Sequence, residues 1–241
     1  MSDMLISLNN PKSAVAEAYR TLRTNIEFSG IDNEIKSIAI TSSEPGEGKS
    51  TVTSNLAITM ARANKRVLII DADLRKPTVH KMFGISNKIG LTNLLIQNLP
   101  LEDVIQKTAV FGLEVLPSGP IPPNSAELLG SKAMQKFMAE VKSQYGIVLV
   151  DTPPVGPFAD AAVISALVDG TILVFSAGRV RMNDAQRAKQ MLMNVKANIL
   201  GVVLNKAPIN YSGYNYYNYY YYYTADEEKG NSVRRRRRKI V

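Results

Sequence analysis

Short apolar runs recur along the first 205 residues, and segments whose apolar positions follow a helical period separate them. The runs are four to seven residues long and rich in valine and isoleucine, which is typical of strands buried on both faces of a parallel sheet. On this basis we predict strands at residues 37–41, 67–71, 113–116, 147–151, 171–175 and 199–205.

The segments between these runs predict helices, because their apolar positions repeat with the helical period. We expect them at 49–63, 91–98, 131–144, 160–167 and 184–195. One further helix is predicted at 11–28, with Asn10 as its N-cap and Pro11 in the first helical position. Strands that alternate with helices predict a doubly wound α/β fold, in which a mainly parallel sheet carries helices on both faces.

This alternation stops at Pro208, where the composition changes. Residues 211–223 hold nine of the eleven tyrosines, and residues 234–239 are five arginines and a lysine. Low-complexity sequence of this kind has no aliphatic period with which to build a core. We therefore predict one domain at 1–207 and a flexible tail at 208–241.

Composition narrows the chemistry open to the domain. The chain has no cysteine and a single histidine, His80, so it offers no cysteine or histidine cluster for a metal. The lack of cysteine fits a reducing compartment such as the cytoplasm. The longest apolar runs fall far short of the roughly 20 residues of a spanning helix, and the first ten residues lack a signal-peptide pattern. We therefore expect no membrane-spanning segment.

The predicted strand at 37–41 leads into a glycine-containing loop, Ser43-Glu-Pro-Gly-Glu-Gly-Lys-Ser-Thr51, and then into a helix. The loop matches the phosphate-binding pattern G-x-x-x-x-G-K-[ST], except that serine replaces the first glycine. Loop amides and the helix N-terminus attract phosphate oxygens, the lysine reaches the β- and γ-phosphates, and the next hydroxyl binds Mg²⁺. The predicted nucleotide-binding residues are Ser43, Gly46, Glu47, Gly48, Lys49, Ser50 and Thr51, with Ser50 also a magnesium ligand.

Two further predicted strands end in aspartate. Residues 67–71 lead into Asp71-Ala-Asp73, and residues 147–151 end at Asp151. The carboxyl ends of parallel strands meet at the edge where such folds bind ligands. Asp71 and Asp73 are two residues apart and point the same way, and a cation would relieve their repulsion. We predict that Asp71, Asp73 and Asp151 join Ser50 as magnesium ligands; a strand-end pair that caps a turn is the alternative for the first two.

Taken in this order, the motifs resemble those of the bacterial protein-tyrosine kinases (BY-kinases) that accompany capsule and exopolysaccharide synthesis. These belong to the P-loop group that also contains the MinD and ParA ATPases. The resemblance rests on Walker A at 43–51, Walker A′ at 71–77, Walker B at 151–154, the segment 118–124 and the tyrosine cluster. Glu44 stands where MinD-type relatives carry a signature lysine, which argues against a dimeric switch ATPase.

The resemblance implies transfer of phosphate from ATP to tyrosine with Mg²⁺ as cofactor, and Lys49, Asp71, Asp73 and Asp151 as catalytic residues. Asp71 is the preferred base, although the sequence does not separate its role from that of Asp73. Asn205 and Lys206 are expected near the adenine. The implied acceptors, phosphorylated in trans within the chain's own tail, are Tyr211, Tyr214, Tyr216, Tyr217, Tyr219, Tyr220, Tyr221, Tyr222 and Tyr223.

Three charged residues of the predicted N-terminal helix also fit the family. Glu17, Arg20 and Arg23 match the E-x-x-R-x-x-R motif that the family uses for ring-shaped self-association, and so predict a homo-oligomer. Residues three apart on a helix also form ordinary intrahelical ion pairs, worth a few tenths of a kcal/mol each. Both interpretations stand at this point.

The resemblance further implies partners. Since no spanning segment is predicted, a separate transmembrane activator is expected, together with a cognate phosphotyrosine phosphatase and a cytoplasmic location at the inner face of the cell membrane. The net charge is +8, and residues 224–241 contribute half of it. The basic run at 234–239 departs from the usual family ending. It is interpreted as a solvated terminus, as a contact with anionic lipid, or as a contact with nucleic acid or another acidic polymer.

Two rival functions remain. A MinD- or ParA-like nucleotide-switch ATPase without kinase activity explains the three motifs equally well, but it does not explain nine clustered tyrosines. A nucleic-acid-binding protein would use the arginine run, but no aromatic platform in the domain supports a specific role of that kind.

Overall fold

One sheet of seven strands lies at the centre of the residues that the computed structural model describes, which are 3–30 and 34–208. The tyrosine cluster at 211–223 and the basic run at 234–239 lie outside these residues, so the two predictions made for them stay predictions. The strands are β1 Ser37–Ser42, β2 Val67–Asp71, β3 Gln106–Lys107, β4 Leu113–Leu116, β5 Ile147–Asp151, β6 Gly170–Ser176 and β7 Ile199–Asn205.

The strand order is β3-β4-β2-β5-β1-β6-β7, and every neighbouring pair is parallel except β3 with β4. The predicted doubly wound, mainly parallel sheet is therefore confirmed. All six predicted strands are present, with ends that differ by at most one residue. The antiparallel β3 was not predicted, because its two residues are polar and lie at the sheet edge.

Helices cover both faces of the sheet. Side chains of β5 alternate between two buried clusters: Ile147 and Leu149 join one, and Val148 and Val150 join the other. The helices are α1 Ile6–Asn9, α2 Ala14–Ser29, α3 Lys49–Arg62, α4 Val79–Phe83, α5 Leu91–Gln97, α6 Leu101–Val104, α7 Ser125–Leu129, α8 Lys132–Gln144, α9 Asp160–Ser165 and α10 Met182–Asn194. None of these described helices has the length and apolarity needed to cross a bilayer.

The predicted start of the N-terminal helix is wrong. Asn10 does not begin α2 but ends α1, because its N–H donates to the carbonyl of Ile6. Helix α2 starts after Ser13, whose extended backbone and hydroxyl cap the helix by accepting the N–H of Ala16 at 3.2 Å. Pro11 therefore lies in the turn between the two helices and not in the first turn of α2.

Helix α1 is fastened to α3, the helix that follows the glycine loop. Leu5 is fully buried in the core. The side chain of Asn55 on α3 accepts the N–H of Ser7 at 2.8 Å and donates to the carbonyl of Met4 at 2.9 Å. Arg62, at the end of α3, donates to the carbonyl of Ser7 at 2.6 Å. The N-terminal segment is therefore an integral part of the fold around α3.

The charged triplet on α2 has partners within the chain. Glu17 and Arg20 form an ion pair one turn apart, and Arg20 also donates to the carbonyl of Pro11. Arg23 donates to the carbonyl of Thr59 on α3 at 3.1 Å. The intrahelical pair weighed from the sequence is thus present, while ring-shaped self-association stays a prediction.

Candidate functional site

The sheet order places three chemically important segments side by side. Strands β2, β5 and β1 are neighbours, and all three run in the same direction. Asp71 and Asp151 are direct register partners at the ends of β2 and β5, and Ile40 of β1 pairs with Asp151. The loop that follows β1 therefore meets both aspartates at one edge of the sheet, as the sequence predicted.

The loop at 43–48 needs glycine at two positions. Gly46 and Gly48 have φ of 82° and 99°, in the left-handed region that glycine adopts without strain. A Cβ at Gly48 would lie 2.0 Å from the Nδ2 atom of Asn205, so there is no room for a side chain at this position either. Helix α3 starts directly after Gly48, and its first amides point at the loop, where phosphate oxygens would bind.

Lys49 lies among the carboxylates of this edge. Its Nζ atom is 2.8 Å from Oδ2 of Asp73, and both side chains are largely buried. Burial alone would lower the pKa of Lys49, but the negative charges of Asp151 and Asp73 outweigh it and raise the pKa above its usual value. The amine is therefore a fixed cation at the mouth of the loop.

Asp71 and Asp151 are both fully buried. Oδ2 of Asp71 accepts the N–H groups of Thr78 and Val79 at 3.2 and 3.1 Å, while its Oδ1 has no partner. Burial, reinforced by the charge of Asp151, raises the pKa of Asp71 well above the ordinary value for aspartate. Burial likewise raises the pKa of Asp151 to about 6, against the opposing effects of Lys49 and the Ser50 hydroxyl.

These residues fit a magnesium ion that also binds a nucleotide. Within residues 3–30 and 34–208, no three acidic or histidine side chains form a metal cage on their own. Mg²⁺ beside a nucleotide needs only one or two carboxylates, since phosphates and water complete its shell. Asp71 and Asp151 each keep one buried oxygen without a partner, and the Ser50 hydroxyl is near enough to Asp151 to lower the pKa of that carboxyl. A cation held by these groups would satisfy both oxygens.

Both carboxylate oxygens of Asp73, a predicted magnesium ligand, have partners within the protein. Its Oδ2 faces Lys49, and its Oδ1 accepts the N–H of Lys76 at 3.0 Å. Its direct contact with a metal stays a prediction.

A clamp that the sequence did not predict holds the segment after Asp73. Arg75 donates from Nε and from a terminal nitrogen to the two oxygens of Asp160, each at 3.1 Å, and Asp160 is fully buried. The same guanidinium lies 4.1 Å from the ring centre of Phe158. Asp160 was predicted only as the start of a helix. No sequence signal pointed to this pair, because the group that needs a partner is Asp160, which is fully buried, whereas Arg75 is partly exposed.

Asn205 is the last residue of β7, and Lys206 follows it directly in the chain. Asn205 donates from Nδ2 to the carbonyl of Glu47 at 2.8 Å, so its side chain contacts the phosphate-binding loop. Lys206 has a φ of 57°, which turns the chain after the strand. Asn205 is thus beside the loop, while a contact of Asn205 or Lys206 with adenine stays a prediction.

Comparison with known proteins agrees with this fold. The ParA family model, described as "NUBPL iron-transfer P-loop NTPase", matches residues 34–229. Tyrosine-protein kinase YwqD of Bacillus subtilis (strain 168) is 45% identical over 218 residues, which cover 90% of this chain and 92% of that protein. Tyrosine-protein kinase CpsD of Streptococcus agalactiae is 40% identical over 214 residues, covering 88% and 92%.

A solved structure extends the likeness to three dimensions. The kinase domain of the Escherichia coli tyrosine kinase ETK superimposes with a TM-score of 0.80 at 35% identity, covering 88% of this chain and 84% of that domain. The fold therefore has a counterpart in a named kinase domain. The chain belongs to the bacterial tyrosine-protein kinases, within the ParA-type P-loop NTPases that bind nucleotides.

Proposed function

We propose that this kinase transfers the γ-phosphate of ATP to the tyrosines of its own C-terminal cluster, in trans between copies of the chain. One observation carries the proposal: a partly buried lysine and three buried carboxylates meet at the mouth of the phosphate-binding loop. The nine tyrosines at 211–223 supply acceptors on the same chain.

Lys49 and the loop amides would bind and neutralise the triphosphate. Phosphoryl transfer passes through a loose transition state in which charge spreads over the transferred oxygens, so alignment and charge neutralisation are the main tasks. Lys49 remains charged because Asp151 and Asp73 raise its pKa. On nucleotide binding, it would exchange part of its contact with Asp73 for the β- and γ-phosphates.

The magnesium site would be built from Ser50 and Asp151, with Asp71 and Asp73 completing the shell directly or through water. When bound, the ion would supply positive charge that offsets the charge of the phosphates. The unpartnered oxygens of Asp71 and Asp151 support this assignment.

Asp71 is our candidate for the base that takes the tyrosine proton. A phenol has a pKa of about 10, and a base works best when its own pKa is not far below that of the group it deprotonates. Burial raises the pKa of Asp71 in that direction, and its Oδ1 can accept a proton where Asp71 contacts the ion only through water. Asp73, held by Lys49 and the amide of Lys76, is less available.

The trans reaction can be tested with two full-length variants. Lys49→Met keeps every tail tyrosine but loses the catalytic lysine. A second variant, with all nine tail tyrosines changed to Phe, keeps the active site but offers no acceptor. We expect neither protein alone to give phosphotyrosine at the tail in Mg-ATP, and the mixture to label the Lys49→Met chain.

The outcome is read by mass spectrometry of the tail, with wild type as the positive control. If the Lys49→Met chain incubated alone acquires phosphotyrosine, this site is not responsible for the kinase activity. Labelling in wild type but not in the mixture would show that transfer occurs within one chain.

We also propose a membrane setting, in which the kinase works with a separate transmembrane activator and regulates capsule or exopolysaccharide synthesis. The kinase would then lie at the inner face of the cell membrane, and a phosphotyrosine phosphatase would reverse the modification. The similarity to named tyrosine kinases supports the catalytic half of this proposal. If the rate of tail labelling is the same with and without the cytoplasmic part of such an activator, the membrane half fails.

The basic run at 234–239 is a second membrane contact in this proposal. Each basic residue near an anionic surface contributes about 1 kcal/mol. Deleting residues 233–241 should weaken binding to phosphatidylserine vesicles and leave binding to neutral vesicles unchanged. Equal binding before and after the deletion would make the run a solvated terminus.

A further inference from the structure

A buried carboxylate lies inside the phosphate-binding loop itself. Glu47 is 1% exposed, although it is charged and sits between two glycines. Its Oε2 atom accepts the hydroxyl of Ser43 and the N–H of Glu44, both at 2.8 Å. Its Oε1 atom accepts the N–H of Ser176, the last residue of β6, at 3.2 Å. One side chain thus ties the start of the loop to the neighbouring strand.

The backbone of the same residue makes a second connection. The carbonyl of Glu47 accepts Nδ2 of Asn205, the last residue of β7, at 2.8 Å. This contact is possible only because Gly48 has no side chain, since a Cβ there would lie 2.0 Å from that nitrogen. Glu47 therefore joins the loop to the ends of both β6 and β7.

We propose that Glu47 is a positioning residue, which holds the loop in its nucleotide-binding shape without touching the nucleotide through its side chain. The proposal also explains Ser43, which replaces the first glycine of the usual pattern: its hydroxyl is a donor to Glu47. A loop whose amides are fixed in advance loses less conformational freedom when a ligand binds, so affinity rises. The inference rests on nucleotide binding alone and not on tail phosphorylation.

Glutamine is the sharpest probe because it keeps the size of the side chain and changes its hydrogen bonding. An ionised carboxylate only accepts hydrogen bonds, whereas a carboxamide presents an NH₂ group on one side. In either orientation, that NH₂ would face a backbone N–H, of Ser176 or of Glu44. A buried amide would then lose its acceptor, and the loop would relax away from the bound shape.

We expect Glu47→Gln to raise the Kd of Mg-ADP about tenfold or more, measured by titration calorimetry on the full chain. A tenfold change corresponds to about 1.4 kcal/mol. Ser43→Ala removes one donor and should have a smaller effect in the same direction. The double variant should lose less than the product of the two single effects, because both act on one shared bond.

Asp169→Asn is the matched control. Asp169 is a carboxylate at the opposite end of β1, where it accepts the N–H groups of Lys36 and Ser37, the Ser37 hydroxyl and the Lys142 amine. We expect it to lower the unfolding temperature and to leave the Kd of Mg-ADP within about twofold. Glu47→Gln should do the reverse, with a large change in Kd and a smaller change in unfolding temperature.

Two results would overturn the proposal. One is a Kd for Glu47→Gln within about twofold of wild type. The other is a loss of affinity in Asp169→Asn as large as in Glu47→Gln, which would make general destabilisation the cause. If Glu47→Gln does not fold, Ser43→Ala decides: a raised Kd at unchanged unfolding temperature supports the proposal, and an unchanged Kd overturns it. Because Mg-ADP binding is read without tyrosine labelling, an inactive tail would not affect the result.

Discussion

At the level of single residues, the nucleotide edge places more negative than positive charge in a buried setting. Asp71, Asp73 and Asp151 face one lysine, Lys49, and two of the carboxylates keep an oxygen without a partner. Burial raises the pKa of both Asp71 and Asp151, so each ionised form is held at a cost in stability. Such a site is expected to trade stability for function.

Asp71→Asn tests this trade-off. The substitution removes a buried charge while keeping an oxygen that can accept the N–H groups of Thr78 and Val79. Without added nucleotide or metal, we expect the variant to be more stable by about 1 kcal/mol, or about 2–4 °C in unfolding temperature. Tail phosphorylation should fall by about 10²-fold or more, since a general base contributes that much.

Calorimetry and a phosphotyrosine time course measure the two effects, and Asp73→Asn serves as the comparison. A variant at position 71 that labels the tail at the wild-type rate would exclude Asp71 as the base. A variant that is less stable than wild type would contradict the electrostatic argument.

Asp151 should give the folded protein a distinctive pH dependence. Burial raises its pKa to about 6, whereas aspartate in an unfolded chain titrates near about 3.9. The folded state therefore holds this proton more tightly, and the free energy of unfolding falls as the pH rises from about 4 to about 6. The free energy of unfolding is expected to fall by about 1 kcal/mol between about pH 5 and pH 7 for this reason.

Urea unfolding of wild type and Asp151→Asn, without nucleotide or metal, measures this contribution. Wild type should lose stability between about pH 5 and pH 7 relative to the variant, which has no such proton. Parallel pH profiles for the two proteins would contradict the raised pKa.

At the level of elements, the sequence predicted strands better than short helices. A strand such as β5 is a continuous apolar run that ends in a charged residue, and its bounds were predicted without error. The helices α1, α4, α6 and α7 have four or five residues, too few to show a period. Their positions depend on local capping and on tertiary contacts, such as the burial of Leu5, that a linear pattern does not contain.

The site likewise contains some features that the sequence predicts and others that depend on tertiary contacts. Strand ends that share one edge follow from the parallel sheet, so the proximity of Lys49, Asp71 and Asp151 could be predicted. The hydrogen bond between Glu47 and Ser176 and the one between Arg75 and Asp160 could not be predicted. Each joins segments that are far apart in sequence. Their partners become apparent only when the end of β6 and the start of α9 are placed beside the segments they hold.

The start of α2 gives a direct test of a corrected element. Ser13→Ala removes the hydroxyl that accepts the N–H of Ala16 and should lower the free energy of unfolding by about 1 kcal/mol. Asn10→Ala should have a smaller effect, because that side chain does not cap α2. Chemical denaturation of the two variants measures the difference. A larger loss in Asn10→Ala would restore the original prediction.

At the level of the whole molecule, the outer face of α2 is the predicted site of self-association. Phe28 on this helix is 66% exposed, and it lies on the same side of the helix as Glu17, about three turns away. Glu17 pairs with Arg20, one turn further along the helix. The face thus combines apolar and charged groups, as protein interfaces do.

The triplet on α2 should separate into two roles. The Glu17–Arg20 pair is partly exposed and contributes less than about 1 kcal/mol to folding, so Glu17→Ala/Arg20→Ala should unfold at nearly the wild-type temperature. Arg23→Ala loses the bond to the carbonyl of Thr59 and should unfold at a lower temperature. If a ring forms, both variants should sediment as smaller species than wild type.

Sedimentation velocity with Mg-ADP, paired with thermal unfolding, gives both readings. An unchanged sedimentation profile for the double variant would leave Glu17 and Arg20 as an intrahelical pair and nothing more.

The attachment of α1 to α3 has a mechanical consequence. Asn55 and Arg62 bind the backbone of residues 4–7, and the helix that carries them begins with Lys49. Tension or torque applied to the chain ahead of Met4 would therefore pass, through a few hydrogen bonds, into the helix whose first turn follows the predicted phosphate-binding loop. The N-terminal end of the polypeptide is thus mechanically connected to the predicted nucleotide site. Tethering this end to a surface should change ATP turnover even with every catalytic side chain intact.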